Sequence, residues 1–384
     1  MESRGPISGV VVLVTAVICV GFGFGAGVYI DQAYPDVIPY FAHHSSGRID
    51  TAELQQAIRV IEADYVDANV DTKKLSHGTV QGLISSLGDP FSAYYDPDQY
   101  KKLQQVYTGH YSGIGIYLTF TSSYPVITGT VPGSPAASAG LQQGDQILKV
   151  GDKDMKGITA DQASTLIQGP DGSKVSITVQ RGSQTITVTI TRAEIQVPSV
   201  RSTTIADHIL YVRIYQFTTT TTDEFHTALS SGLPGAKGVV LDLREDPGGF
   251  ISEADHVISQ FVASGEHLAT SVPLVVLVNA NSASSAEIVA GSLQVHHRAK
   301  LVGTVTFGKG SVQQDFPLSD GADIHLTVKR WYLPNGQTID HKGLTPDVTV
   351  PLASATLEFD VLQPSLGYAK DAQLNSALNV LAAG

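Results

Sequence analysis

Two short stretches, "GVVLDL" at residues 238–243 and "PLVVLV" at 273–278, are apolar at nearly every position. A strand exposed on one face alternates apolar and polar residues, whereas one covered on both faces reads as a continuous apolar run. These two segments therefore demand a sheet with a layer on each side. Around them strands and helices alternate. "HILYVRIYQF", "AKLVG" and "HLTVKRWYL" read as further strands, and "TTDEFHTALSS", "ISEADHVISQFVAS" and "SAEIVAGSLQ" as helices. The pattern predicts an α/β core built on a mixed sheet.

With 384 residues the chain has room for more than one domain. From Tyr111 the period changes. "YSGIGIYLTF", "YPVITGTV" and "DQILKVGDK" read as strands, "ITADQASTLI" as a helix capped by Thr159, and "KVSITVQRGSQTITVTI" as a hairpin. This strand-rich unit over 110–195 predicts a separate small domain. Ahead of it, "TAELQQAIRVIEADYV" places Leu54, Ile58 and Ile61 at helical spacing, and two more helices follow, with "GDPFSAYYDPDQY" marking turns. The expected organisation is a membrane segment over 1–33, a linker and helical region over 34–109, the inserted domain over 110–195, a core over 196–352 and a C-terminal segment over 353–384.

Residues 7–30 carry no charge, a run long enough to cross a bilayer core of about 30 Å. A cleaved signal has a shorter apolar run and an A-x-A-like site, and here Tyr29, Ile30 and Asp31 follow instead. The reading is a single-pass signal anchor, with cleavage near Gly25–Ala26 as the alternative. Arg4 is the one basic residue before the span and none follows until Arg48, a bias that places the bulk of the chain outside the cytoplasm. The lone cysteine, Cys19, rules out an intramolecular disulfide. A formal net charge of −12 with no Lys/Arg cluster argues against nucleic acid as a partner.

"VNANSASSAEIVAGSLQ" raises a chemical question. Ser284 followed by Glu287 forms a capping box, and Ile288, Val289 and Leu293 supply an apolar face behind it. The same corner, a buried strand running into a helix N-terminus, also presents nucleophiles beside free N–H groups. A nucleophilic serine needs a base. His267, His296, His297 and His325 carry no signature. Lys309, in "GTVTFGKGSVQQ", serves only if burial leaves it neutral. Gly303–Lys309 also reads G-x-x-x-x-G-K, but Gly310 and an extended "SVQQDFPL" follow, whereas a phosphate loop needs Ser or Thr and a helix.

These motifs resemble those of the carboxyl-terminal processing peptidases, or tail-specific proteases, which are serine peptidases with a Ser–Lys dyad and an embedded PDZ domain. "NSASSAEIVAGSLQ" is similar to the family's nucleophile motif and "RAKLVGTVTFGKGSVQ" to its lysine motif. Lys309 follows Ser284 by 25 residues, and Gln313 lies four further on. The resemblance implies Ser284 as nucleophile, Lys309 as general base and Gln313 as the residue orienting the lysine. "LDLREDPGGF" resembles the family's glycine turn, which implies an oxyanion hole made by the N–H groups of Gly248 and Ser285. "SGIGI" resembles the PDZ carboxylate-binding loop, implying Gly113, Ile114, Gly115 and Ile116 as peptide-binding residues. Three positions depart from the family pattern: Asp246 stands where Asn is usual, Gln168 where Arg commonly precedes Gly-Pro, and Ser285-Ala286 reverse the family's order. The implied protein is a membrane-anchored, extracytoplasmic endopeptidase that cleaves proteins near exposed apolar C-termini, without a metal or organic cofactor. The resemblance leaves room for an activating partner and a homo-oligomer. The other class of protein compatible with a PDZ unit is a scaffold that tethers partners, and the Ser284, Lys309 and Gln313 set argues against it.

Overall fold

In the computed structural model, which describes residues 49–67, 69–120, 122–262, 271–351, 359, 361 and 367–383, the apolar runs form the middle of a six-stranded sheet. Its strands lie in the order Val200–Ile205, Ile209–Ile214, Gly238–Asp242, Leu274–Val278, Lys300–Gly303 and Val348–Thr349. The first pair is antiparallel and the remaining neighbours are parallel, so the sheet is mixed as expected. Every residue of Gly238–Asp242 and Leu274–Val278 is buried. Successive side chains point to opposite faces, and each face has its own cover. Val239, Leu241, Val276 and Val278 pack with Phe225, Val257, Val289 and Leu293 from helices Thr221–Gly232, Ile251–Ser259 and Ser285–Val295. Val240, Val275 and Leu277 pack with Phe359, Leu374 and Ala377. The last two belong to helix Ala372–Ala383, in a segment to which the sequence reading gave no element.

A three-stranded antiparallel sheet, ordered Ala93–Tyr95, Asp323–Arg330 and Ser311–Pro317, lies beside the core. "SVQQDFPL" is therefore extended, as the sequence predicts. Ala93–Tyr95 was hidden inside a segment read as turns. Its three residues are too few to show a period.

Residues 110–196 form the strand-rich unit. Ile116–Thr119, Val126–Thr130, Gln146–Val150, Lys174–Arg181 and Gln184–Thr191 make one antiparallel sheet, with Lys153–Asp154 pairing to one side. Helix Ala160–Ile167 starts at Thr159, whose Oγ1 accepts the Gln162 N–H. Ile114, Ile127, Ile147, Ile177 and Val179 close a separate apolar core. Entry and exit are paired: His110–Gly113 runs antiparallel to Ala193–Gln196 as a two-stranded neck.

Helix Ala52–Asp64 belongs to a separate N-terminal unit ending at Thr72, within which Leu54, Ile58 and Ile61 are exposed. In the second unit, helix Pro97–Thr108 opens with a capping box between Asp96 and Gln99 and ends at Gly109, whose φ of 68° suits glycine. Among the described residues no helix is long and apolar enough to cross a membrane. The predicted span at 7–30 lies outside the described residues.

Candidate active site

The corner after Leu274–Val278 is built by short polar bonds. Asn279 donates its N–H to Ser282 Oγ at 2.9 Å, and Ser282 donates its hydroxyl to the Leu243 carbonyl at 2.7 Å. Ser282 thus ties the corner to the neighbouring strand. Asn279 and Asn281 donate their side-chain amides to the Glu245 carboxylate at 2.7 and 2.8 Å. The chain then reaches Ser284 at φ 53° and ψ −116°. A non-glycine residue held there costs on the order of 1–3 kcal/mol and persists only when its surroundings enforce it. Helix Ser285–Val295 begins at the next residue, so the Ser285 N–H is one of the four that have no partner within the helix. The Ser285 hydroxyl donates to the Gly249 carbonyl at 2.8 Å, fastening the helix start to the glycine turn.

Glu287 is fully buried and gathers four donors. Oε2 accepts the Ser284 N–H and the Lys309 N–H, each at 2.9 Å. Oε1 accepts the Gly308 N–H at 2.7 Å and the Thr306 hydroxyl at 2.5 Å. One carboxylate oxygen thus bridges the backbones of Ser284 and Lys309, which can be no farther apart than two hydrogen bonds end to end. The sequence reading saw only half of this role, the helix cap. The signal for the other half was an acid set in an apolar helix, a residue that requires partners when buried.

Lys309 is half-buried. Its Nζ lies 5.1 Å from the centroid of the Phe91 ring, a cation–π contact. Burial pushes its pKa below the ordinary lysine value, against the opposing pull of the Asp89 and Glu287 carboxylates. That is the direction a basic lysine needs. The Lys309 carbonyl accepts the Trp331 indole N–H at 2.9 Å. Ser284, Lys309, Gln313, Gly248 and His325 line one cavity of 440 Å³. Gln313 donates its amide to Ser311 Oγ at 2.9 Å and Thr327 Oγ1 at 3.0 Å. Those bonds fix Gln313 in the cavity wall, and the orienting bond to Lys309 implied by the resemblance is not among the described contacts. His325 pairs with Asp315 at 2.6 Å on the same cavity.

The glycine turn lies hard against the serine. A Cβ on Gly248, at φ 95°, would sit 2.8 Å from Ser284 Cβ and 2.9 Å from the Ser285 nitrogen. The Gly248 N–H does not face open space, however. It donates to Asp246 Oδ1 at 2.8 Å. Asp246 is fully buried, its Oδ2 has no partner among the described residues, and burial pushes its carboxyl well above the usual range. Behind the turn, the guanidinium of buried Arg244 bonds to Asp242, Asp371 and Gln373. Residues of the "LDLRED" run thus anchor the C-terminal helix to the strand end beneath the site.

In the strand-rich unit, Ile114 is fully buried in the domain core. Gly115 is required at its place, because a Cβ there would fall 2.4 Å from that of Ser134. Burial pushes the Tyr111 phenol up to about 12. Gly113 lies against the same ring, 2.7 Å from Tyr111 Cε2 to a Cβ built on it. A groove of 320 Å³ runs between Ile116–Thr119 and Ala160–Ile167.

The peptidase family S41 profile matches residues 208–272 and 263–350, a PDZ profile residues 126–181, and the N-terminal domain of the activating protease CtpB residues 40–99. The carboxy-terminal processing protease CtpA of Bacillus subtilis is 34% identical over 329 residues, covering 80% of this chain and 70% of its own. The carboxy-terminal processing protease CtpB of the same organism is 31% identical, covering 88% and 77%. A solved S41-family structure from Bacteroides fragilis superposes with a TM-score of 0.52 at 19% identity, over 88% of this chain and 98% of that one, a likeness of fold. The chain thus belongs to peptidase family S41, among the serine-type carboxy-terminal processing proteases.

Proposed function

We propose that the chain is a membrane-anchored, extracytoplasmic endopeptidase in which Ser284 and Lys309 form the catalytic dyad. The observation that carries this reading is the Glu287 bridge, which sets both backbones on one carboxylate oxygen. Ser284 Oγ attacks the scissile carbonyl carbon as its proton passes to neutral Lys309 Nζ. The tetrahedral oxygen takes the Ser285 N–H, with the Gly248 N–H as second donor once it leaves Asp246. Collapse breaks the C–N bond, and the lysine ammonium protonates the departing amine. Water then attacks the acyl-serine and gives a proton to Lys309; collapse breaks the bond to Ser284 Oγ, the lysine ammonium returns that proton to the serine oxygen, and the new carboxyl terminus leaves. Gln313 walls the cavity. The PDZ groove takes an apolar tail as an added strand, and residues 7–30 anchor the chain.

A second reading keeps Ser284 and gives His325 the role of base, favoured by its 2.6 Å pairing with Asp315 on the same cavity. Acyl-enzyme trapping and tail-peptide cleavage in wild type, Ser284→Ala, Lys309→Ala and His325→Ala separate the two. The dyad predicts no acyl-enzyme in the first two variants and substantial activity in the third. Equal residual cleavage in wild type, Ser284→Ala and Lys309→Ala would sink it. A chain lacking residues 110–195 is expected to lose tail-selective processing.

A further inference from the structure

When Lys309 takes the serine proton it becomes an ammonium in a half-buried place, where lost hydration penalises the charged form. Among the described residues none forms a hydrogen bond or ion pair with its Nζ. Each Glu287 oxygen already accepts two other donors, and the Gln313 amide is spent on Ser311 and Thr327. What lies against Nζ is the ring of Phe91, its centroid 5.1 Å away. We propose that Phe91 is a positioning residue for the base: its ring seats the Lys309 amine and stabilises the ammonium as it forms. The inference rests on the Ser284–Lys309 dyad reading.

Phe91 belongs to a loop that is bonded into the site. Asp89 accepts the Phe91 N–H at 3.0 Å and the Ser92 hydroxyl at 2.5 Å. Ser92 Oγ accepts the Thr327 N–H at 3.0 Å, and Thr327 Oγ1 accepts the Gln313 amide at 3.0 Å. Loop and cavity wall are thus one bonded unit. Phe307, two residues before the lysine, meets the Phe91 ring edge to face, with centroids 6.3 Å apart. Phe91 does not line the cavity that holds Ser284; it borders a separate one of 450 Å³. It therefore reaches the chemistry through the lysine and not through the substrate.

A ring suits this post better than an acid. A carboxylate against the amine would raise the lysine pKa by on the order of 1–3 units and keep it charged at rest. An aromatic face attracts the cation more weakly and leaves the lone pair of the neutral amine free. Its support grows as the proton arrives, which is where an interaction lowers the barrier. The charged groups acting on Lys309 are Asp89 from this loop and Glu287 from helix Ser285–Val295. Asp315 and His325 line the same cavity, and all four stay unchanged in the test.

The test replaces Phe91 in the full chain, by amber suppression, with singly, doubly and triply fluorinated phenylalanine. Fluorines drain the negative ring face while nearly preserving its shape and burial. Cleavage of a tail peptide is followed across pH, with Lys309→Ala beside the series. The acid limb of kcat/KM reports the base in the free enzyme. As the ammonium loses support, that limb is expected to step to lower pH with each fluorine, by about half a unit in all. Limiting kcat falls roughly two- to fivefold over the series while KM holds. A limb that stays put or moves up with fluorination, with Lys309→Ala inactive, overturns the role of Phe91 and leaves the dyad standing. Cleavage by Lys309→Ala at the parent rate overturns the dyad and the proposal with it.

Discussion

The serine corner and the PDZ groove are built in opposite ways. At the corner, one buried carboxylate takes four donors, Ser282 stitches two strands, and Ser284 is held in a backbone region that its surroundings must enforce. In the groove, Ile116, Leu118, Phe120 and Ile167 make an apolar wall, with the Tyr111 ring against the loop at Gly113. The reacting geometry is fixed in advance by polar bonds, whereas the groove relies on apolar surface. Catalytic positioning tolerates displacements well below 1 Å, whereas an added strand is held by main-chain bonds that any sequence can make.

If the corner is the rigid half, damage there should be severe. Ser284→Ala is expected to lower kcat on a tail peptide by on the order of 10⁴–10⁶-fold, with peptide affinity retained; a loss of affinity instead would mean that the two regions are not separable. Gly248→Ala comes next. Its Cβ has nowhere to go against Ser284 and Ser285, and a drop of roughly 10²–10³-fold in kcat is expected, measured beside KM to show that binding is spared. Glu287→Gln keeps the shape but turns one oxygen into an NH2 group that faces two of the four donors. It should destabilise by about 1–3 kcal/mol in denaturant unfolding and slow turnover by roughly 10–100-fold through misplacement. Activity close to wild type would show that the bridge is incidental.

Two smaller effects concern pH. Asp246 has a folded pKa raised above its unfolded one, so the stability it contributes is complete below the unfolded value and fades as pH rises through the folded value. Asp246→Asn should therefore gain Tm relative to wild type as pH increases, and a pH-independent difference would contradict a protonated Asp246. At Lys309 the Asp89 carboxylate raises the pKa. Asp89→Asn is expected to move the acid limb of the rate profile to lower pH. A shift the other way would remove Lys309 from the base role.

Much of this arrangement is written locally in the chain. Continuous apolar runs declare strands covered twice, and Ser284, Glu287 and Lys309 stand in recognisable runs. What stayed hidden is set by partners distant in sequence. The Glu287 bridge closes over 22 residues to Lys309, and the Arg244–Asp371 pairing over 127. No local period reports such pairs. Helix Ala372–Ala383 was missed because its residues give no sharp apolar stripe, its burial coming from the sheet beneath. The glycine turn adds a contact that the motif does not report: Gly248 lies beside Ser284, and Asp246 holds its N–H.

The paired neck of the PDZ unit has a consequence for engineering. Because His110–Gly113 and Ala193–Gln196 run side by side, the core meets an insert of some eighty residues as if it were a hairpin. Closing that gap costs little entropy whatever lies beyond it, since closure depends only weakly on loop length. The recognition cassette is in that sense portable: a foreign tail-binding module grafted across the same two strands would retarget the enzyme while leaving its cutting edge untouched.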